Sequence, residues 1–200
     1  MEVLLLRHGE TAGNLGGRYI GRTDEPLHET ARRRLREAKP VDGIATVLVS
    51  PLQRAVETAR LLFPEGVLTE CPDLREFDFG DFEGRTAEEM KDDPAYRQWV
   101  NSGCTGPCPG GESLADFLER TGTAFDLAVR TSILQKERRL FVVGHGGSIM
   151  AIMSRYAKPP RPFFKWHLRH CCGYRVRLDP ANWHNAPSLQ DCCSWEPVPR

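Results

Sequence analysis

Net charge is the first thing this sequence lacks. Lys and Arg total 27 and Asp and Glu total 27, so no global field draws the chain toward nucleic acid or a membrane surface. Long apolar runs are missing too. Nothing approaches the ~20 residues that cross a bilayer, and the opening Met1-Glu2-Val3-Leu4-Leu5-Leu6-Arg7 is too short and too acidic at its start for a secretory signal. These two absences make the cytoplasm the expected compartment, where thiols stay reduced. The seven cysteines include no pair with the two-residue gap of common zinc knuckles, and their odd number argues against a complete disulfide framework. Ordinary reduced thiols are expected. No Gly-Lys-Ser/Thr phosphate loop is present, which excludes a fused P-loop kinase. Internal repeats and low-complexity tracts are absent as well.

What is present is a chain of 200 residues, 40% hydrophobic, a size and composition that suit one globular domain over residues 1–200, with a less regular tail from about 179. Three short runs rich in Val, Leu and Ile, at Val3 to Leu6, Ile44 to Val49 and Leu140 to Val143, read as buried parallel strands. After the second, Ser50-Pro51-Leu52-Gln53 offers a cap, a proline at the first helical position and a reciprocal capping partner, so a helix is expected to about Phe63. After the third, the apolar spacing of Ile149, Ile152 and Met153 predicts a helix that ends before Pro159. Further helices are expected over His28 to Ala38, Ala87 to Asp93 (boxed by Thr86 and Glu89) and Ser113 to about Thr131, where Leu114, Phe117, Leu118, Phe125 and Ala128 share one face. Gly103 to Gly111 reads as a loop and Gly173 to Leu178 as a strand. Alternating strand and helix imply a three-layer α/β/α domain with a mostly parallel central sheet.

Such sheets bind ligands beyond the carboxyl ends of their strands, which is where Arg7-His8, Arg54 and His145 fall. Charge is also uneven along the chain. Glu70 to Asp93 carries ten acidic residues against three basic ones, and Arg138 to Leu178 carries nine Lys or Arg and no carboxylate. A phosphate would find the second stretch attractive. A lone strand-end histidine is more often a packing or capping residue than a catalyst, so His8 gains weight only from its companions.

Those companions form a pattern. Arg7-His8-Gly9-Glu10-Thr11, then Ser50-Pro51-Leu52-Gln53-Arg54-Ala55, then Leu74-Arg75-Glu76 with Phe79-Gly80, and finally Gly144-His145-Gly146-Gly147 stand in the order seen in the histidine phosphatase superfamily, which this chain resembles from residue 3 to about 155. The resemblance implies a phosphoglycerate mutase-like fold and a phosphatase that needs no metal or other cofactor. It implies His8 as nucleophile, with its second ring nitrogen donating to backbone. Arg7, Asn14, Arg54, His145 and Gly146 would hold phosphoryl oxygens, His145 as an imidazolium. Positive donors are what a phosphoryl group in flight requires, because its charge spreads over three equatorial oxygens.

By the same resemblance Glu76 is the general acid and then the base, with Glu83 and Asp78 as runners-up. Substrate contacts are expected at Ile20 and Gly21, Ile20 standing where the family often has a polar residue. Phe82, where tryptophan is usual, is expected in the pocket wall, and the specificity wall is expected from Gly103 to Glu112 and Pro159 to Trp166. The partner implied is a small phosphorylated metabolite. The stretch Leu74 to Asp81 is similar to the branch containing alpha-ribazole phosphatases and broad-specificity relatives. Two alternatives remain: a cofactor-dependent phosphoglycerate mutase, disfavoured because Arg97 is the only base between Lys91 and Gly111, and a noncatalytic module that binds phosphorylated ligands, disfavoured because Glu76 accompanies the phosphate ligands. Oligomeric state is not encoded in these patterns.

Overall fold

A computed structural model describes residues 1–41 and 46–198. Its centre is a six-stranded sheet in the order β3-β2-β4-β1-β5-β6. The strands are β1 (Glu2–Arg7), β2 (Thr46–Val49), β3 (Val67–Glu70), β4 (Arg139–Gly144), β5 (Gly173–Arg177) and β6 (Gln190–Trp195). β1 to β4 run parallel, and β5 and β6 add an antiparallel edge. Of the second expected strand, Ile44 and Ala45 lie outside the described residues.

Continuous apolar runs become strands buried on both faces, and alternation sends neighbouring residues to opposite layers. Val3, Leu5 and Val142 pack with Phe125, Ile149 and Ile152, from α5 (Leu114–Leu134) and α6 (Gly146–Tyr156). Leu4, Leu6, Val47 and Val143 pack on the other face with Leu35, Ala55, Ala59 and Leu62, from α2 (Glu29–Glu37) and α3 (Gln53–Leu62). Burying each such leucine is worth ~1.5–3 kcal/mol, so both layers are firmly held. A third, aromatic cluster of Phe77, Phe82, Tyr96, Trp99 and Phe117 forms a lobe above one end of the sheet, around α4 (Pro94–Asn101).

Four local expectations need correction. The capping box of Thr86 and Glu89 does close, with Thr86 N donating to Glu89 at 2.8 Å and Glu89 N to Thr86 at 3.1 Å, but only turns follow it. The residue before a proline is driven out of helical backbone. Asp93 accordingly stands extended and caps α4, which starts at Pro94 instead. Ser50 does not cap α3: the N-cap is Leu52, which makes no side-chain cap bond, and Asp24 accepts the Gln53 N–H at 2.7 Å. Ser50 is turned toward His145. The tail past 179 is more regular than its composition suggests, because β6 pairs along β5. Finally, β3 follows α3 at the opposite edge of the sheet; Val67 is exposed there, so the run lacks the apolar signature of a buried strand.

The sheet brings the site together through one register. Arg7 lies opposite Gly144 on the adjacent parallel strands β1 and β4, so the next residues, His8 and His145, leave the sheet side by side. The chain runs outward from β1 to β2 and β3 and returns through β4 between them, making this the topological switch point.

Candidate active site

His8 is 3% exposed, and its Nδ1 lies 2.6 Å from the carbonyl oxygen of Gly9. A carbonyl can only accept, so Nδ1 carries the proton and Nε2 keeps its lone pair. Burial, followed by the fields of His145, Arg54, His170 and Arg7, holds the ring far below the ordinary histidine range. It is therefore neutral. The Gly9 N–H is anchored in turn on Thr58 of α3 at 3.0 Å.

Arg54, on the first turn of α3, is fully buried. It donates through Nη2 to Gly21 O and through Nη1 to Thr23 O, both at 2.7 Å, and through Nε to His145 Nδ1 at 3.3 Å. Three of its five N–H groups are thus used, and two remain. Since arginine only donates, His145 Nδ1 must accept, and its proton sits on Nε2, 2.7 Å from Ser50 Oγ. Burial first, and then Arg54 and Arg7, push His145 well below its usual range. The imidazolium expected at this position is consequently a neutral imidazole in this structure, 5.0 Å from the His8 ring.

Arg7 ends β1, donates through Nη1 to Leu168 O at 2.7 Å, and stacks against Gly146, where a Cβ would come within 3.2 Å of Arg7 Cζ. Its Nε is buried without a partner among the described residues. An orphaned guanidinium donor beside the N-terminus of α6 is a strong attractor for an oxyanion. Asn14 closes the short helix α1 (Ala12–Leu15) by accepting the Thr11 N–H at 3.2 Å, which leaves its amide NH2 as a donor.

Glu76 reaches the same place from a loop. Its two oxygens accept Phe77 N at 2.9 Å and Gly147 N at 3.0 Å. Arg120 of α5 positions that loop: it donates to the carbonyls of Asp73, Arg75 and Glu76 at 2.8 to 3.0 Å and forks onto Glu112 at 2.6 and 3.0 Å. A Cβ on Gly147 would stand 2.2 Å from Glu76 Oε1. The same Cβ would lie 3.1 Å from Phe117 Cζ, so that ring need give only by a few tenths of an ångström while the carboxylate must leave. Gly147→Ala is therefore expected to keep the fold at a small cost in stability, to evict the carboxylate and to lower kcat by about 10²- to 10³-fold. Wild-type kcat in that variant would mean that Glu76 need not sit where it does.

The runner-up carboxylates are occupied elsewhere. Glu83 accepts from Gly21 N, Arg22 N, Thr23 Oγ1 and Phe79 N at 2.7 to 3.2 Å, and Asp78 accepts Gly80 N at 2.9 Å and faces Arg22 at 3.6 Å. Glu83 fixes the very loop whose carbonyls hold Arg54. Gly21 serves this clamp, since a Cβ there would lie 1.8 Å from Phe77 O. Ile20 is buried, with Gly13 directly beneath its side chain. Neither Ile20 nor Gly21 is among the residues that line the adjoining cavity. Phe82 is likewise buried, against Tyr96 and Trp99.

Sequence reasoning missed His170. It lies 5.1 Å ring to ring from His8 and donates through Nδ1 to the His8 carbonyl at 3.1 Å. Burial and Arg7 lower it to about 3, so three neutral imidazoles share one cationic corner. The density of bases in Arg138 to Leu178 was its only signal. Among the described residues no group of three or more His, Cys, Asp or Glu has an arrangement that could hold a metal ion. No helix among them is long and apolar enough to cross a membrane.

Arg7, Glu76, Gly146 and Gly147 open onto a cavity of about 280 Å³, whose remaining lining includes Tyr19, Phe79, Trp99, Cys104, Phe163 and His167. His8 and His145, next in the chain to the lining residues Arg7 and Gly146, are buried with Arg54 and are not themselves in the lining. The expected walls from the 103–112 loop and the 159–166 segment contribute Cys104, Phe163 and Phe164.

Known proteins place this arrangement in context. A bifunctional protein of Mycobacterium tuberculosis is 35% identical over 204 aligned residues covering 96% of this chain, and this chain spans about half (51%) of its length. The adenosylcobalamin/alpha-ribazole phosphatase of Escherichia coli is 32% identical across 84% of this chain and 85% of its own. Relatives at 32% and 29% identity carry the names acid phosphatase, from M. tuberculosis, and probable phosphoglycerate mutase, from Yersinia enterocolitica. In fold, the crystal structure of a putative alpha-ribazole-5'-P phosphatase from E. coli superposes with a TM-score of 0.82 at 24% identity, over 100% of this chain and 98% of that one. The family profile described as histidine phosphatase superfamily (branch 1) matches residues 3–186, and the chain belongs to that superfamily.

Proposed function

We infer that this chain hydrolyses phosphate monoesters of small molecules by way of a phosphohistidine on His8, with no metal ion taking part. The observation that carries this reading is the fixed tautomer of His8: with Nδ1–H tied to Gly9 O at 2.6 Å, the free lone pair belongs to Nε2, at the floor of a corner that holds Arg7 and Arg54. Neutrality makes that nitrogen a nucleophile.

In the first step Nε2 forms a bond to phosphorus as the bond from phosphorus to the ester oxygen breaks. Glu76, entering as the carboxylic acid, gives its proton to the departing oxygen. In the second step water attacks phosphorus, Glu76 takes its proton, and the nitrogen–phosphorus bond breaks. Arg7 Nε and the two remaining Arg54 N–H groups balance charge on the equatorial oxygens. His145, accepting from Arg54 through Nδ1 and donating to Ser50 through Nε2, holds that guanidinium in place.

Transfer to a second position of a phosphorylated acid is the less supported reading. It needs extra cations over the substrate, and Arg97, the base expected nearest, points to Asp92 at 3.8 Å and is not in the cavity lining. A purely binding role leaves Glu76 without a task. A reducing compartment such as the cytoplasm suits seven free thiols.

Two successive in-line displacements each invert phosphorus, so hydrolysis of a chiral, isotopically labelled phosphate monoester in excess chelator is expected to proceed with net retention of configuration. Net inversion, or activity abolished by the chelator, contradicts the reading.

A further inference from the structure

Beyond the reacting groups the cavity is aromatic. Tyr19, Phe79 and Trp99 form one wall, mutually edge to face with ring centroids 5.0 to 6.3 Å apart. Leu114, Met150 and Phe163 complete it. The Tyr19 hydroxyl is committed to that of Tyr96 at 2.9 Å, so the ring offers the cavity an apolar surface. Among the described residues Arg7 and Glu76 are the only Lys, Arg, Asp or Glu in the lining, and both stand at the reacting end; its other titratable side chains are His167, the Cys104 thiol and the Tyr19 hydroxyl.

A charged or polyhydroxylated leaving group would surrender its water here without finding partners. A flat ring instead meets edges and faces with which aromatic groups pack well. At about 280 Å³ the space sits near the lower limit for small-molecule sites, which suits one or two fused rings and not a long chain or a dinucleotide.

We propose that the phosphate this site removes is carried by the alcohol of a flat, uncharged aromatic or heteroaromatic group, seated against Tyr19, Phe79 and Trp99. The proposal rests on the phosphomonoesterase reading above, and goes further by fixing the chemical class of the leaving group.

The test compares kcat/KM for 2-naphthylmethyl phosphate, n-decyl phosphate, glycerol 3-phosphate and 3-phosphoglycerate, all esters of primary alcohols, so that leaving-group basicity varies little. The aromatic ester is expected to exceed the glycerol and glycerate esters by about 100-fold and the decyl ester by about 10-fold. Leu114→Lys, which puts a cation into the lining at a partly exposed position, is expected to raise kcat/KM for 3-phosphoglycerate by about 10-fold and to lower it for the naphthylmethyl ester. Should that variant fold poorly, inhibition of the wild type by 2-naphthylmethanol but not by glycerol or decanol decides the point. Equal or greater turnover of the glycerol, glycerate or decyl ester overturns the proposal. If those esters are turned over with retention at phosphorus, only the leaving-group class fails; if none is hydrolysed, the underlying reading fails with it.

Discussion

Alanine in place of His8 is expected to lower kcat by about 10⁴- to 10⁶-fold on any phosphate monoester that the chain accepts, the scale seen when a covalent catalyst loses its nucleophile. His145 cannot substitute, because one of its nitrogens faces the Arg54 guanidinium and its proton is on the other, toward Ser50. His170 holds the His8 carbonyl with Nδ1 and its ring lies 5.1 Å from that of His8, so it is the group that would carry any residual activity. Binding of inorganic phosphate should suffer far less, because a neutral His8 contributes no charge and Arg7 and Arg54 remain. Steady-state kinetics together with phosphate titration check both halves. Residual activity above about 1% of wild type would mean that another group attacks phosphorus.

Acid is expected to unfold the protein steeply, starting near pH 6.5. His8 and His145 are lowered far below the usual range, mainly by burial, and His170 to about 3. In the unfolded chain all three titrate near 6.5. Below that pH the unfolded state binds protons that the folded state refuses, so the stability contributed by the neutral rings is present above pH 6.5 and is lost as pH falls. Each ring contributes about 1.4 kcal/mol per pH unit once its unfolded form is protonated, and three approach about 4 kcal/mol per unit. A domain with a typical ~5–15 kcal/mol of stability is exhausted within a few units. The cations that face these rings, Arg7 and Arg54, keep their charge throughout and oppose protonation. Urea unfolding between pH 5 and 7.5 measures the slope, and His170→Asn, which keeps an amide donor for the His8 carbonyl, is expected to reduce it by one proton. Stability that is flat between pH 5 and 7 contradicts the neutral cluster.

The sequence revealed those parts of the site that are carried by contiguous motifs. Val3 to Leu6 and Leu140 to Val143 read as strands because both faces are buried, and each ends in its histidine; the pairing of Arg7 with Gly144 then needs only that the two strands be neighbours. What stayed hidden depends on contacts between distant segments. Ser50 reads as a helix cap until His145 is seen 2.7 Å away. Glu83 reads as one more acidic turn residue until the amides of the 21–23 loop are found on it. Arg120 is one base among many on α5, and only the fold shows that all of its bonds go to Glu112 and the segment presenting Glu76. Aromatic residues spread from Tyr19 to Phe164 gather around a single cavity, a convergence that no periodicity encodes.

The roles of the second imidazole and the carboxylate follow from the nucleophile, so the covalent intermediate is the point to measure. Wild-type protein and His8→Ala are incubated with a phosphorus-labelled monoester, quenched in alkali, digested and mapped. Label stable to alkali and labile to acid, on the peptide containing His8 and absent from the variant, is the predicted result. Label of equal intensity in both proteins, or none in a wild type that is turning over substrate, would contradict covalent transfer to His8.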